Sequence, residues 1–414
     1  MGTAIGAAAW RVTCAETVAA LNELEAAWTA LESSIPAVLP FATFDWTAAW
    51  WTHLRRRGLR ARDRLAVYAV RDASGRLVAV APMTHTSSPG GPLPLLRVTQ
   101  PLGADPNVTE VRGLLAAAED VPHVLRVLTD HLAGAPHGVD WITWGGLRAE
   151  ATEALDPSLS ARAVKEREFS MFLVDLPRTW EELRAGLSRN MKEALRKCAS
   201  TLRRDDVEWR FVALDRPDDI DARLARFREL HQVRSTAPGM VPHPDYFARE
   251  EVFSFLRDVV RRRAARGAAR LFGIEVGGEL VAARLAFASR GELYLYFSGF
   301  APEWGRYSIA TTLVAEIVKY AIEQGFATVN LSTGRDASKM RWKPREVVLR
   351  EISMLSDRLG AKARYRLFRA ARRMRERRGA ARLQAATGGD AGAAAGAAAG
   401  AAGAAADAAD TPNG

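Results

Sequence analysis

A chain of 414 residues exceeds what one ordinary hydrophobic core supports, so two domains are expected. A composition with 48% hydrophobic and 26% charged residues is that of a globular protein and excludes wholesale disorder or a fibrous repeat. The net charge of +10 is concentrated: residues 361–382 hold ten Lys and Arg against Glu376 alone, while residues 1–360 carry 48 basic and 44 acidic side chains, so overall basicity argues little for a nucleic-acid partner.

The first residues, MGTAIGAAAWRVTC, have no basic region ahead of their short apolar run, which predicts no signal peptide. Gly6 breaks the myristoylation pattern, and no stretch approaches the roughly 20 apolar residues that cross a bilayer, so a cytoplasmic location without a transmembrane segment is expected. Cys14 and Cys198 have neither metal-ligand nor disulfide spacing.

Amphipathic helices are predicted over Glu16–Glu32 and Asp45–Arg56. Next comes an alternating hairpin, Leu65–Val70, a turn at Asp72-Ala73-Ser74-Gly75, and Arg76–Ala81. A helix over Val121–Leu132 and a strand over Asp140–Gly145 follow. The pattern then repeats: helices over Asp218–Arg234 and His243–Arg266, a hairpin with Gly277-Gly278 at its turn, a helix over Ser308–Gln324 and a strand over Thr328–Ser332. Gly-x-Leu-Val-Ala occurs in both hairpins, at Gly75 and Gly278, an offset of 203 residues that points to two copies of one α+β unit. Between the copies, Thr179–Arg203 reads as one long basic helix. After them come a basic helix, with Leu367, Phe368, Ala371 and Met374 at helical spacing, and a Gly/Ala-rich tail from about Thr387 that is expected to be disordered. The basic stretch reads either as a solvated helix resting Phe368 on the body or as a surface helix for anionic lipid or a nucleic-acid backbone. The expected divisions are 1–160, 161–357, 358–386 and 387–414.

This order of elements, together with Phe41-Ala42-Thr43-Phe44-Asp45-Trp46, Trp50-Trp51, Gly75–Pro82, Leu230-His231, Tyr296–Phe300, Ser308-Ile309-Ala310 and Gly334–Trp342, resembles the GNAT acyltransferase superfamily. Within it the segments resemble the CelD/BcsL-like branch, which is related to the Fem peptidyltransferases. The resemblance implies tandem GNAT-like units, each a mixed, mostly antiparallel sheet flanked by helices, the first a degenerate partner that closes the cleft and the second catalytic. It implies transfer of an acetyl or other acyl group from acyl-CoA to a small-molecule or saccharide amine, without a metal, and an association with polysaccharide or cell-envelope synthesis. The alternatives are a Fem-like enzyme using aminoacyl-tRNA, with 361–382 contacting the RNA, and a non-catalytic scaffold.

By the same resemblance, Phe297, Ser298 and Gly299 line the pantetheine arm, with Ser298 and Gly299 leaving it room. Arg306, Tyr307, Ser308 and Ala310 hold the phosphates, Arg306 by its charge and Ser308 also as a helix cap. The branch usually has Ser-Pro-Gly where this chain has Ser308-Ile309-Ala310, and Tyr-Lys where it has Ser338-Lys339, so close backbone approach and a tyrosine acid are both in question. Candidate catalytic groups are His231, whose ordinary pKa of about 6.5 suits a base, Tyr296, Asp336 as a base, and Lys339 as an anion contact. Each also has a structural reading: a core histidine, a strand tyrosine, and a turn with an ion pair. Lys339 is one of seven lysines among 51 arginines. Cys198 has no histidine nearby in sequence, which favours direct transfer in a ternary complex over a covalent intermediate.

Overall fold

A computed structural model describes residues 10–90, 94–105, 107–133, 138–155, 157, 159, 163–236 and 244–386. The chain packs as two compact units. Among the described residues, one takes those up to Ile35, Phe41–Phe169, and 348–386; the other takes Pro36–Pro40 and Ser170–Val347. Strands are β1 (Arg11–Ala15), β2 (Arg62–Arg71), β3 (Leu77–Ser88), β4 (Leu96–Pro101), β5 (Leu115–Ala116), β6 (Trp141–Arg148), β7 (Ala163–Asp175), β8 (Trp209–Leu214), β9 (Ala269–Val276), β10 (Glu279–Ala288), β11 (Glu292–Phe300), β12 (Thr328–Thr333) and β13 (Arg345–Leu355).

The first unit orders its strands β1-β2-β3-β4-β6-β13, with β5 beside β3. The second orders them β8-β9-β10-β11-β12-β7. In both, three strands form an antiparallel meander and the third pairs in parallel with the strand after the next helix, β4 with β6 and β11 with β12. A parallel partner requires a crossover, which Val121–Ala133 supplies in one unit and Ile309–Glu323 in the other. The duplicated α+β architecture is therefore real. One detail was hidden in the sequence: β13, at the end of the second repeat, pairs with β6, and β7, after the first repeat, pairs with β12. This exchange moves the boundaries: the expected break at 160/161 falls after Phe169, inside β7, and the second unit closes at Val347 rather than 357.

Each crossover helix buries one stripe. Val124, Leu125, Leu128 and Leu132 pack with Tyr68, Ala79, Ile142 and Trp144. Ile309, Leu313, Ile317 and Ala321 pack with Phe272, Ile274, Leu295 and Val329. Spacings of three and four residues place such side chains on one helix face, over sheet residues that alternate.

The helix expected over Thr179–Arg203 is two, Trp180–Gly186 and Arg189–Arg204. Leu187 is extended, and the Ser188 hydroxyl accepts from the Met191 amide at 3.2 Å, a local bond that starts a new helix in place of continuing the old one. The Glu16–Glu32 helix likewise divides at Leu24. The helix expected from His243 runs over Glu250–Ala265, and His243 lies outside the described residues, as does the tail from Thr387. The basic terminal helix spans Ala361–Ala386.

Both thiols are poor nucleophiles. Cys198 is buried, and burial pushes the Cys14 thiol from 9.0 up to about 11, with the charge of Glu16 adding and a hydrogen bond with Tyr68 partly offsetting. Iodoacetamide at pH 8 should therefore alkylate Cys14 about a hundredfold more slowly than a cysteine of ordinary pKa, because the thiolate reacts. Labelling followed by peptide mass spectrometry measures this, and a rate equal to that of a free thiol contradicts it.

Candidate active site

In the second unit the parallel pair β11–β12 is joined only at its beginning. Glu292 faces Thr328, Leu293 faces Val329, Tyr294 faces Asn330, and there the pairing ends. At the same level β11 carries a bulge: Arg284 of β10 faces Ser298 and Ala286 faces Leu295, so Tyr296 and Phe297 together oppose Leu285. A bulge leaves a residue outside the ladder and bends its strand. Beyond Tyr294, β11 thus has lost β12 as a neighbour and turns its main chain irregularly on the other side. Asn330 braces the fork: its Nδ2 donates to Oε1 of buried Glu292 at 2.9 Å, and its Oδ1 accepts from the Ser332 amide at 2.9 Å. Ser332 sits at φ 71°, a left-handed conformation costly for serine, where the β12–β7 register shifts.

Over the free end of β11 lies the Pro217–Thr236 helix. His231 is 1% exposed, ringed by Phe227, Tyr246, Phe247 and Phe297 at centroid distances of 6.4, 6.3, 4.8 and 5.4 Å. Its Nδ1 lies 3.1 Å from the Ser298 carbonyl oxygen, and since a carbonyl only accepts, Nδ1 carries the proton. Three residues on, Arg234 Nη1 donates to the same carbonyl at 3.3 Å and to Ser298 Oγ at 3.0 Å. Burial lowers the Arg234 pKa, while the charge of Asp336 pulls it back. On the side where a side chain would project, Gly299 is filled by main chain: a Cβ there would stand 2.3 Å from the His231 nitrogen and 2.4 Å from the Leu230 carbonyl carbon, so the glycine admits the helix backbone on that face. Tyr296 is 2% exposed and packs on Phe287 and Phe297.

The turn after β11 is a 3-10 segment, Pro302–Tyr307, leading into Ile309–Glu323. Gly305 meets nothing within 4 Å and needs no special conformation; the left-handed residue is Ser308, at φ 52°. Ser308 makes no side-chain cap, contrary to expectation, because its backbone has already turned out of the extended form that aims a capping hydroxyl at the first turn. Arg306, Ser308 and Ala310 face outward, whereas Tyr307 and Ile309 point in. The Arg306 guanidinium lies 4.6 Å from the Tyr307 ring centroid and its Nη2 donates to Tyr307 Oη.

Past β12, Asp336 caps the short helix Ala337–Met340, accepting from the Lys339 amide at 3.0 Å and from the Ser338 hydroxyl. Burial alone would raise its carboxyl, but the Ser338 hydrogen bond, the Lys339 charge and the capped amides outweigh this and hold it below the usual range, which suits a cap and not a base. Lys339 Nζ donates to the carbonyls of Thr333 and Gly334, tying the end of β12. Arg335 pairs with Glu346. The predicted residues thus fall into three groups: His231 with Tyr296–Gly299, the turn Arg306–Ala310, and Asp336 with Lys339. Sequence reasoning missed Arg234 and Asn330. Arg234 was signalled by its i,i+3 relation to His231, and Asn330 by standing alone in the apolar run Val329–Leu331.

The first unit differs at the equivalent place. Its parallel pair is Val98 with Trp141 and Thr99 with Ile142, and beyond it the main chain of Val111–Gly113 lies against β6. A Cβ on Gly145 would be 2.3 Å from the Arg112 carbonyl oxygen, and Arg112 is pinned by Glu351 at 3.0 Å. A cleft of about 370 Å³ in the second unit is lined by Asp175, Leu183, Trp342 and Lys343 among others; Asp175 pairs with Thr328, at the paired end of β12.

The parallel strands of the second unit thus fork beside a bulge, and a helix N-terminus follows the bulged strand. Residues 189–343 match the family of acetyltransferase (GNAT) domains. The chain's fold is that of the crystal structure of FemX, with a TM-score of 0.59 at 12% identity over 83% of this chain and 98% of that one. Two further similar structures are the C-terminal domain of a putative lysylphosphatidylglycerol synthetase from Agrobacterium fabrum (TM-score 0.47, 14% identity, 85% and 96% covered) and a tandem GNAT protein from the clavulanic acid biosynthesis pathway (0.38, 12%, 84% and 98%). No curated protein matches the sequence.

Proposed function

We propose that the second unit transfers an acyl group, acetyl foremost, from acyl-CoA to an amine by direct attack in a ternary complex. The observation that carries this reading is the fork: β11 leaves β12 after Tyr294 and Asn330, beside the Tyr296/Phe297 bulge. An extended pantetheine arm is amide-rich and suits the edge of a strand that has lost its neighbour. Main-chain N–H groups at the bulge would polarise the thioester carbonyl as charge develops on its oxygen. The amine nitrogen forms the C–N bond as the C–S bond breaks, and the proton that the nitrogen loses ends on the departing CoA thiolate, giving the amide and free CoA thiol. His231 and Arg234 act as positioning residues: both bond the Ser298 carbonyl and fix the bulge from one side. Arg306, with Ser308 and Ala310, which face outward at the start of the helix, would take the phosphates. The first unit, with Val111–Gly113 against β6, serves as a non-catalytic copy.

Thermal-shift titrations with acetyl-CoA, CoA and aminoacyl-tRNA test the donor. Stabilisation by CoA and acetyl-CoA is expected. Stabilisation by charged tRNA alone would replace the donor with a Fem-like one, and a response to none would mark a scaffold. Arg306→Ala should raise the Kd for CoA about tenfold through loss of a charged contact, with the melting temperature little changed. An unaltered Kd misplaces the phosphate turn.

A further inference from the structure

The basic helix Ala361–Ala386 has one face docked on the first unit. Ala361 and Tyr365 are buried, the Tyr365 and Phe368 rings lie 5.3 and 5.2 Å from Trp141, and Arg364 Nε donates to Asp140 at 2.9 Å. Asp140 is fully buried and also meets Arg358 at 3.5 Å, so the start of the helix is fastened by both apolar contact and charge. Fastening one face fixes what the opposite face presents.

That opposite face is not an ordinary solvated one. Leu367 is 71% exposed and Met374 54%, and Leu359, just ahead of the helix, is 95% exposed. These are three of the seven large hydrophobic side chains found exposed among the described residues, and they fall within 16 consecutive positions. Leu367 and Met374 are seven residues apart, two helical turns, hence on one line about 10 Å long. Ala363 and Ala370 are exposed at neighbouring positions on the same side. Beside this apolar line runs a cationic one, the exposed Lys362, Arg366 and Arg373 at helical spacing. No acidic residue stands between Ala361 and Arg375. A leucine–methionine line beside a lysine–arginine line on one exposed face matches the boundary of an anionic bilayer, where the apolar line enters the acyl region and the cations meet the headgroups. A nucleic-acid backbone would use the cations and leave Leu367 and Met374 in water.

We propose that this face of Ala361–Ala386 docks on an anionic lipid surface, holding the protein at the membrane interface. Among the described residues no helix is long and apolar enough to cross a membrane, so attachment of this kind lies in the interface. The test is co-sedimentation of the full chain with vesicles of phosphatidylcholine, with and without phosphatidylglycerol. Binding is expected only with phosphatidylglycerol and should fall as salt rises. Leu367→Asp with Met374→Asp should weaken it about tenfold or more, and so should Arg366→Glu with Arg373→Glu. All four side chains are exposed, so circular dichroism and the melting temperature should not move. Equal sedimentation of the parent and both variants, binding to neutral vesicles alone, or binding to an RNA duplex with none to vesicles each overturns the proposal.

Discussion

Replacing Gly299 with valine should destabilise the second unit by about 3 kcal/mol, at the upper end of what overpacking costs. The obstacle is main chain: a Cβ at this position would stand 2.3 Å from the His231 nitrogen, 2.4 Å from the Leu230 carbon and 2.7 Å from the Leu230 oxygen. A side chain in the way can change rotamer, but helix backbone moves only with its helix. The Pro217–Thr236 helix would have to lift from β11, and the bonds from His231 and Arg234 to Ser298 would lengthen with it. For a unit of this size the loss corresponds to a melting shift of roughly 6 to 12 °C. Transfer activity should fall further than the folded fraction does, because the bulge loses its brace on one side. Gly305→Ala is the control: nothing lies within 4 Å of that position, and its melting temperature should match the parent's. A Gly299→Val protein that melts with the parent would show that the helix does not approach β11 this closely.

The same glycine shows where sequence reading stops. Phe297, Ser298 and Gly299 were placed correctly on a strand, and their chain neighbours made the site's address legible. What lies on the Cβ side of Gly299 depends on the packing of Leu230 and His231, nearly 70 residues away, so the sequence could not disclose that a helix backbone fills that side. The turn after β11 makes a related point. Glycine matters in such a turn for close backbone approach, yet the left-handed position here is taken by Ser308 against its own preference, while Gly305 is not left-handed. Alternation and helical period disclosed the repeats, because each face of a strand or helix is written locally. They could not disclose that β7 and β13 change places, since strand partners are chosen by shape and register far along the chain. Asp336 and Lys339 were recognised as a polar cluster after a buried strand, but composition alone does not separate a helix cap from a base. The hydrogen bonds do: the carboxylate accepts from the Lys339 amide and the ammonium donates to strand carbonyls.

In the first unit the largest effect is expected at Asp105, a residue with no motif around it. It is 5% exposed and accepts from four donors: Trp50 Nε1 at 2.8 Å, the Thr109 hydroxyl, and the amides of Val108 at 2.9 Å and Thr109 at 3.1 Å. Trp46 Nε1 extends the network, donating to Thr109 Oγ1 at 3.1 Å. Trp46 and Trp50 are both completely buried, so their N–H groups have no water to turn to. Burial pushes the Asp105 carboxyl up, against the pull of those same donors. Asp105→Ala should therefore cost about 3 to 5 kcal/mol, the range for a buried charged partner removed while its donors stay behind. Asp105→Asn should cost less but not nothing. One amide oxygen serves the two backbone N–H groups, and the amide nitrogen then points a donor at the indole N–H, which cannot turn away. Thr109→Val tests the outer layer and should fall below both, since it removes one donor and one acceptor together. Urea midpoints followed by tryptophan fluorescence separate the three, and the expected order of loss is Ala, Asn, then Val. An alanine variant as stable as the parent would mean that water reaches Trp50 and that the carboxylate is not what holds this corner of the unit.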